Sequence, residues 1–429
     1  MNPGLAAVST RPTGGLSVLQ GLRYGALGAP LAFAALPLYV LLPSHYGAQL
    51  GVPLAWLGAV LLGSRAFDAL VDPWLGQCAD RALARPRRDA MALALLAGLL
   101  MATGFAALFL PPTGSAAALL GWCAAALLVT GLGYSLLGLL HQAWGARLGG
   151  GAAAQARLVG WREGLALAGV LAASVLPALV GIPAMVVTCT LLLVLALWAL
   201  AGAPYRPGQA SPAQAAPADA WLPWRVPAFR RLMAVFLLNG VASAIPATLV
   251  LFFIRDRLQA PAWVPYLLGG YFAAAALSMP LWVRSVARWG LLRCWLAGMA
   301  LAVAAFAWAA GLGPGDAPAF ALICAASGVA LGADLAIPSA LLAGVIARAG
   351  HALRHEGRYF GWWTCANKLN LALAAGLSLP LLQVLGYAPG ERKPAALAAL
   401  GLVYAALPCL LKAAAAALLW AQRPLLDPA

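Results

Sequence analysis

Long apolar runs, separated by short polar, proline-rich or glycine-rich breaks, recur along the whole chain. A helix that crosses a bilayer needs about 20 predominantly apolar residues, and the runs supply about twelve segments of that kind. Their predicted positions are 20–43, 54–78, 89–110, 115–143, 162–181, 184–203, 229–254, 263–284, 293–312, 318–346, 358–386 and 396–421. The pattern therefore predicts an all-α membrane protein with twelve transmembrane helices.

The largest break falls between the sixth and seventh runs and is rich in proline, alanine and glutamine. It predicts three parts: an N-terminal six-helix bundle (1–203), a cytoplasmic central loop (204–228) and a C-terminal six-helix bundle (229–429). Tryptophans in this loop are expected at headgroup depth. Two six-helix units in one chain are typical of transporters built from internal repeats, so we expect two pseudo-symmetric bundles.

Composition agrees with a membrane protein, because 63% of the residues are hydrophobic and only 9% are charged, against about 25% in soluble domains. The net charge of +15 comes largely from arginines in every second loop: Arg81, Arg85, Arg87, Arg88, Arg147, Arg157, Arg206, Arg225, Arg230, Arg231, Arg284, Arg288, Arg293, Arg348, Arg354 and Arg358. Cytoplasmic loops carry such an excess, so we expect both termini in the cytoplasm and no nucleic-acid partner. Abundant alanine and arginine favour a bacterial source, and hence the inner membrane.

Enzymatic motifs are missing from the sequence: it contains no HExxH, GxSxG or P-loop pattern, and its seven cysteines are scattered. We therefore expect neither an enzyme nor a protein with a metal or cofactor. We expect a monomer whose partners are the lipid bilayer, a small-molecule substrate and a coupling cation.

Three charged residues fall inside the second apolar run, in the stretch GSRAFDALVDPWLG: Arg65, Asp68 and Asp72. A charge at the centre of a spanning helix costs about 2.5–3.5 kcal/mol on insertion scales. Spacings of three and four residues place all three on one helix face. One interpretation is a cation or proton site in a polar cavity. The other is an Arg65–Asp68 pair that locks this helix to its neighbours, with Asp72 capping the turn before Pro73.

Two further runs carry a charge at membrane depth. Lys368, flanked by Asn367, lies ten residues beyond the interfacial Arg358, too deep for a lysine that merely snorkels to the interface. Asp334 precedes Pro338 in a glycine-rich stretch. A helix that can kink there could act as a gate, or the acid could pair with a hydroxyl of a neighbouring span; Lys412 is a further charge at this depth.

Neutral polar residues in the spans add candidates for a cavity lining. Tyr134 and Ser135 lie in the fourth run, and Asn239 lies in the seventh. Asn239 can line a cavity or form a hydrogen bond between helices.

The loop after the second run reads Gly76-Gln-Cys-Ala-Asp80-Arg81 and is followed by Arg87-Arg88. It resembles the GxxxDR…RR motif of the major facilitator superfamily, which implies a latch at the cytoplasmic ends of the helices. RAFDALVDPWLG, together with GLRYGALGAPLAFAALPLYVLLPSHY, AQARLVGWREGLALAG and WWTCANKLNLALAAGLSLPLLQVLGY, resembles the glycoside–pentoside–hexuronide:cation symporters of that superfamily. The resemblance runs through most of the chain in order and implies the major facilitator fold.

The resemblance also implies roles for individual residues. The predicted cation- or proton-coupling residues are Asp68, Asp72, Ser135 and Lys368. The predicted substrate-cavity residues are Tyr134, Arg162, Asn239, Asp334 and Asn367, and the predicted structural or gating residues are Arg65, Gly76, Asp80 and Arg81. Three positions depart from the family: Val71 replaces an asparagine beside the second aspartate, and Pro30 and Gly138 replace the two sugar-binding acids.

Together these features predict a secondary active transporter that works by alternating access. Loss of the asparagine oxygen at Val71 favours H⁺ over Na⁺ as the coupling ion, because Na⁺ prefers several oxygen ligands. By resemblance the substrate is a small, sugar-like or glycoside-like solute. The alternatives are a lipid-like amphiphile of the lysophospholipid type, another non-sugar metabolite, or a membrane scaffold or sensor that transports nothing.

Overall fold

A computed structural model describes residues 17–207, 219–388 and 390–426, and these residues are almost entirely helical with no β-strand. The first pass, α1 (18–49), is a series of short helices and π-helical turns, from Val18–Gly25 to His45–Gln49. The next passes are α2 (Leu54–Leu83), α3 (Arg87–Phe109), α4 (Ala116–Arg147), α5 (Gly151–Pro177) and α6 (Leu179–Ala201). The chain bends at Gly181, near the start of α6, where φ is 77°.

The C-terminal half repeats this order. It contains α7 (Pro227–Phe252, continued by a π-helical turn, Phe253–Arg257), and the helix Val264–Phe306, which breaks at Gly290 into α8 (264–289) and α9 (291–306). It ends with α10 (Ala317–Arg348), α11 (Glu356–Val384) and α12 (Pro394–Ala421). Among the described residues, nine helical stretches are long and apolar enough to cross a membrane. One of them, Pro261–Gly311, contains both α8 and α9. The charged α2 and the interrupted α1 complete twelve passes.

The predicted helix positions are confirmed in outline, but some ends are wrong. The fifth pass was expected from residue 162, whereas α5 begins at Gly151, because the alanines at 152–154 favour a helix that projects beyond the apolar run. The proposed bundle limits, 1–203 and 229–429, remain predictions. Part of the central loop, 208–218, lies outside the described residues.

The two halves use the same packing pattern, with numbers shifted by six. Helix α1 packs on α5, and α7 packs on α11; α3 packs on α4, and the α8–α9 segment packs on α10. Between the halves, α2 packs on α11, and α5 packs on the α8–α9 segment and on α10. The core is therefore two similar helical units with a shared face.

Helices α2 and α11 approach backbone to backbone at the end of the molecule that carries Arg81 and Arg358, called here the basic end. A Cβ atom on Gly76 would lie 2.0 Å from the carbonyl oxygen of Gly357, and one on Gly357 would lie 2.1 Å from that of Gly76. Only glycine allows backbones to come this close. The contact closes the basic end between the two halves.

This contact predicts opposite effects for two alanine substitutions on α2. Gly76→Ala should force α2 and α11 apart and cost about 1–3 kcal/mol, as overpacking does. Gly63→Ala is the matched control, because no atom lies within 4 Å of its added Cβ and alanine favours the helix by up to about 1 kcal/mol. Thermal unfolding in lipid nanodiscs should show a lower midpoint for Gly76→Ala only; equal midpoints would contradict the close contact.

Candidate functional site

A cavity of about 360 Å³ lies between the two halves and is lined by six charged side chains: Arg65, Asp68, Arg162, Glu163, Asp334 and Lys368. They come from α2, α5, α10 and α11. Charged residues within transmembrane segments usually face the interior of the protein or a water-filled cavity, where they mark substrate or ion pathways. The predicted cavity residues Tyr134 and Asn367 also line it.

An ion pair beside this cavity joins the two halves. The Lys368 Nζ atom of α11 lies 2.8 Å from Oδ2 of Asp72 on α2, and it donates hydrogen bonds to Asp72 Oδ1 (3.0 Å) and to Ser135 Oγ on α4 (2.9 Å). The Asp72 side chain is completely buried. Asp72 therefore pairs with Lys368 across the halves and does not serve as the cap before Pro73 that the sequence left open.

Asp68 lies one helical turn before Asp72, lines the cavity, and is buried. Its Oδ1 atom has no hydrogen-bond partner among the described residues. A Cβ atom on Gly131 of α4 would lie 2.4 Å from this oxygen, so the glycine makes room for the carboxyl group. Burying a charged carboxylate without a partner is costly. Asp68 is therefore suited to take up a proton or a cation.

The opposite wall carries a second charged pair on α5. The Nε and Nη2 atoms of Arg162 donate to Glu163 Oε1 at 2.9 and 2.7 Å, and Nη2 lies 3.5 Å from Ser339 Oγ on α10. Sequence analysis did not single out Glu163. Its signal was present, since it is an acid next to Arg162 inside a predicted span.

Asp334 belongs to a compact hydrogen-bonded cluster inside the C-terminal half. Its Oδ2 atom lies 2.7 Å from Lys412 Nζ, and Lys412 also donates to Asn239 Oδ1 and Ser243 Oγ, both at 2.9 Å. Asp334 Oδ1 accepts from Asn239 Nδ2 (3.1 Å) and from the Trp295 indole N–H (2.8 Å). These contacts join α7, α9, α10 and α12. Asn239 lies here, and not among the residues that line the cavity.

The Asp334–Lys412 ion pair is expected to stabilise the fold. Asp334→Asn leaves the buried Lys412 ammonium without its carboxylate, and breaking a buried ion pair costs about 3–5 kcal/mol. The double variant Asp334→Leu/Lys412→Leu removes both charges and should recover much of that loss. Thermal unfolding of the single and double variants measures the loss of stability and its recovery. Loss of gradient-driven uptake in a stably folded double variant would instead assign the pair a role in coupling.

The basic end is held by charged residues of both halves, called here the latch: Asp80, Arg147 and Glu356, with the Gly357 and Arg358 amides. Asp80 of α2 accepts from the Gly357 amide (2.7 Å) and the Arg358 amide (3.0 Å) at the start of α11. An acceptor at that position satisfies free helix N–H groups and interacts favourably with the helix dipole. Arg147 of α4 lies 3.2 Å from Asp80 and 2.9 Å from Glu356.

The four predicted gating residues lie at three different locations in the structure. Gly76 and Asp80 lie at the contact between the halves, Arg65 lines the central cavity, and Arg81 is exposed at the surface. Arg147 was predicted to be a loop charge, but it lies buried in the latch. Its position at the end of a span did not distinguish a buried arginine from a topogenic one.

Histidines beside the latch carry no charge at neutral pH. His355 immediately precedes α11, and burial together with the nearby Arg358 charge lowers its pKa to about 4. His351 forms a 2.7 Å hydrogen bond with the Tyr359 hydroxyl, and burial lowers its pKa as well. The lowered pKa values favour the neutral form of both histidines.

Comparison with known proteins agrees with this architecture. Residues 21–423 match the family model described as MFS/sugar transport protein, while comparison with curated proteins gives no significant match. The fold resembles a bacterial homologue of the iron transporter ferroportin in an outward-facing state (TM-score 0.65, 15% identity, 94% of this chain and 100% of that one). It also resembles the fucose:proton symporter of E. coli (TM-score 0.64, 12% identity, 93% and 98%).

A third similar structure is the human organic anion transporter TETRAN (TM-score 0.66, 17% identity, 92% and 98%). At such identities these structures establish the fold and not the substrate. The predicted major facilitator fold is confirmed, and so is the prediction of a membrane transporter that is not an enzyme.

Proposed function

The chain belongs to the family of MFS/sugar transport proteins, and we propose that it is a proton-coupled symporter of a small, sugar-like solute. The observation that carries this proposal is the Lys368–Asp72 ion pair, which joins the two halves beside a polar cavity. Alternating access requires the halves to move relative to each other around a central site. An ion pair between α2 and α11 is therefore placed where its protonation state can influence that movement.

Proton uptake by Asp72 would remove one partner of the pair. Lys368 would then turn to Asp68, which lies one turn away and has an oxygen without a hydrogen-bond partner among the described residues. Protonated Asp72 is then uncharged, and the Lys368 ammonium balances the Asp68 carboxylate, so the site carries no net charge from these three groups. In this mechanism the proton and the position of Lys368 change together, so proton binding is linked to the contact between the halves.

Two observations favour H⁺ over Na⁺. Val71 offers no side-chain oxygen next to Asp72, and hard cations are held by several oxygen ligands at once. The Lys368 ammonium also occupies the space between Asp72 and Ser135, so a metal cation there would have to displace a positive charge. A proton needs only one carboxylate.

The latch supports a state that is closed at the basic end. Gly76 contacts Gly357 there, and Asp80 and Arg147 bind the start of α11. We place the basic end in the cytoplasm of a bacterial cell, since positive loops are retained on that side. The central cavity would then receive its solute from outside the cell.

Polar groups on the cavity wall support a sugar-like solute. Sugar hydroxyls can donate to Glu163 and accept from Arg162, and Asn367 can do both. Phe236 and Trp363 stack with ring centroids 3.6 Å apart and also line the cavity, which offers an apolar face for the carbon skeleton of a sugar. Pro30 and Gly138 stand where the resembled family has its two sugar-binding acids, and Glu163 offers a carboxylate on the cavity wall instead.

Uptake by reconstituted proteoliposomes tests the proposal. We expect a panel of labelled monosaccharides, glycosides and uronides to contain a solute that accumulates when the inside is alkaline, with no further effect of a Na⁺ gradient. Collapse of the pH gradient by a protonophore should return the internal concentration to the external one. Accumulation driven by Na⁺ alone would contradict the coupling ion, and equilibration unaffected by either gradient would contradict symport.

A further inference from the structure

A second cavity, about 340 Å³ in volume, lies inside the C-terminal half between α7, α8, α9, α10 and α12. Its walls are mainly apolar and include Val250, Leu268, Phe272, Val303 and Phe306. Transmembrane helices associate through close packing, and an unfilled apolar cavity destabilises a protein in proportion to its volume. A space of this size between five helices is therefore a candidate site for a ligand.

Asp334 lies at the boundary between this apolar cavity and the polar one. It lines both cavities, whereas Lys412 lines only the apolar one. The carboxylate and the ammonium bind each other and the polar side chains of Asn239, Ser243 and Trp295. The Asp334–Lys412 pair therefore adds no net charge to the wall of the apolar cavity, and its polar atoms already have hydrogen-bond partners. The apolar cavity consequently favours an uncharged, apolar group.

We infer that the apolar cavity binds the apolar part of the transported molecule while the central cavity binds its polar part. This inference rests on the proposed function and makes it more specific. The substrate class is a sugar-like head that carries an uncharged ring or short chain, such as an aryl glycoside. Each cavity has a volume at the lower end of the roughly 300–1,000 Å³ found for ligand pockets, so each has room for one part of such a molecule.

Paired probes test the inference with purified protein in lipid nanodiscs. Binding of methyl and phenyl glycosides of glucose, galactose, xylose and glucuronic acid is measured by calorimetry, with lysophosphatidylcholine as a separate probe. We expect at least one phenyl glycoside to bind about tenfold or more tightly than its methyl partner, because the phenyl group leaves water for an apolar cavity.

Two phenylalanine variants on α9 locate the effect. Ala302 lines the apolar cavity, so Ala302→Phe should fill part of it and abolish the preference for the phenyl glycoside while keeping the affinity for the methyl glycoside. Ala304 is exposed and does not line the cavity, so Ala304→Phe should keep the preference. Equal thermal unfolding midpoints of the two variants confirm that both fold.

The remaining outcomes separate this inference from the proposed function. Equal binding of methyl and phenyl partners overturns the inference and leaves sugar symport intact. The same holds if Ala302→Phe and Ala304→Phe reduce the preference equally. Binding of lysophosphatidylcholine alone, sensitive to Ala302→Phe, supports the apolar site and overturns the sugar-like head. No binding by any probe overturns both.

Discussion

Asp72→Asn is expected to abolish accumulation of the solute driven by a pH gradient while leaving downhill exchange across the membrane. Asparagine has nearly the same shape as aspartate but cannot bind and release a proton, and it cannot pair ionically with Lys368, whose Nζ lies 2.8 Å from Asp72 Oδ2. If the proton is carried here, the accumulation ratio should fall to one at every pH. The measurement is uptake by proteoliposomes with and without an imposed pH gradient, beside exchange with preloaded solute.

Asp334→Asn provides a matched control, because Asp334 also pairs with a buried lysine, at 2.7 Å. We expect that variant to keep accumulation driven by the pH gradient, with lower stability and a changed affinity for the solute, because Asp334 also lines the central cavity. Asp72→Glu provides a second control: it keeps a titratable carboxyl group and should retain part of the accumulation. Normal uphill uptake by Asp72→Asn would remove this residue from the coupling mechanism, and failure of exchange as well would indicate a folding or binding defect.

Arg147→Ala should open the basic end of the protein. The Arg147 side chain is almost fully buried and binds both Asp80 and Glu356. Its removal leaves two buried carboxylates without their cation, which costs the closed state about 3–5 kcal/mol. The closed-to-open ratio should therefore fall by roughly 10²–10⁴-fold, since each 1.4 kcal/mol is a factor of ten. In the state that is open at the basic end, water can hydrate the Asp80 and Glu356 carboxylates, so the loss of Arg147 destabilises that state less.

Distances between spin labels can measure this shift. Arg85, just after α2, and Ala352, just before α11, are exposed, so cysteines at these two positions in a background lacking the other cysteines report the separation of the halves. We expect a longer distance in Arg147→Ala than in the parent. Arg157→Ala, which removes an exposed arginine near the same end, should not change it. An unchanged distance in Arg147→Ala would contradict the latch.

The sequence predicted the fold well because hydropathy and loop charge report directly on a bilayer. Asp68, Asp72 and Lys368 could also be found, since charges deep in apolar helices are conspicuous. The partner of Lys368, however, lies 296 positions away along the chain, and a periodic pattern carries no information on pairing at that distance. Family resemblance, and not helix geometry, grouped Lys368 with Asp68 and Asp72 as coupling residues.

Residues whose importance depends on burial were harder to predict. Arg81 and Arg147 both follow apolar runs, yet one is exposed and the other is almost fully buried. Asn239 and Asp334 were correctly recognised as unusual polar groups, but their partners, Lys412 and Trp295, come from other helices. Only the arrangement of α7, α9, α10 and α12 brings them together.

The contact between Gly76 and Gly357 has a consequence for the thermodynamics of opening and closing. A gate made of long side chains must order their rotamers each time it closes, at up to about 2 kcal/mol for each flexible residue. Here the two helices meet through backbone atoms, and Asp80 accepts from main-chain amides. Closing this glycine contact by itself freezes few side chains, so its cost in conformational entropy is small beside the cost of ordering Arg147 and Glu356 in the latch.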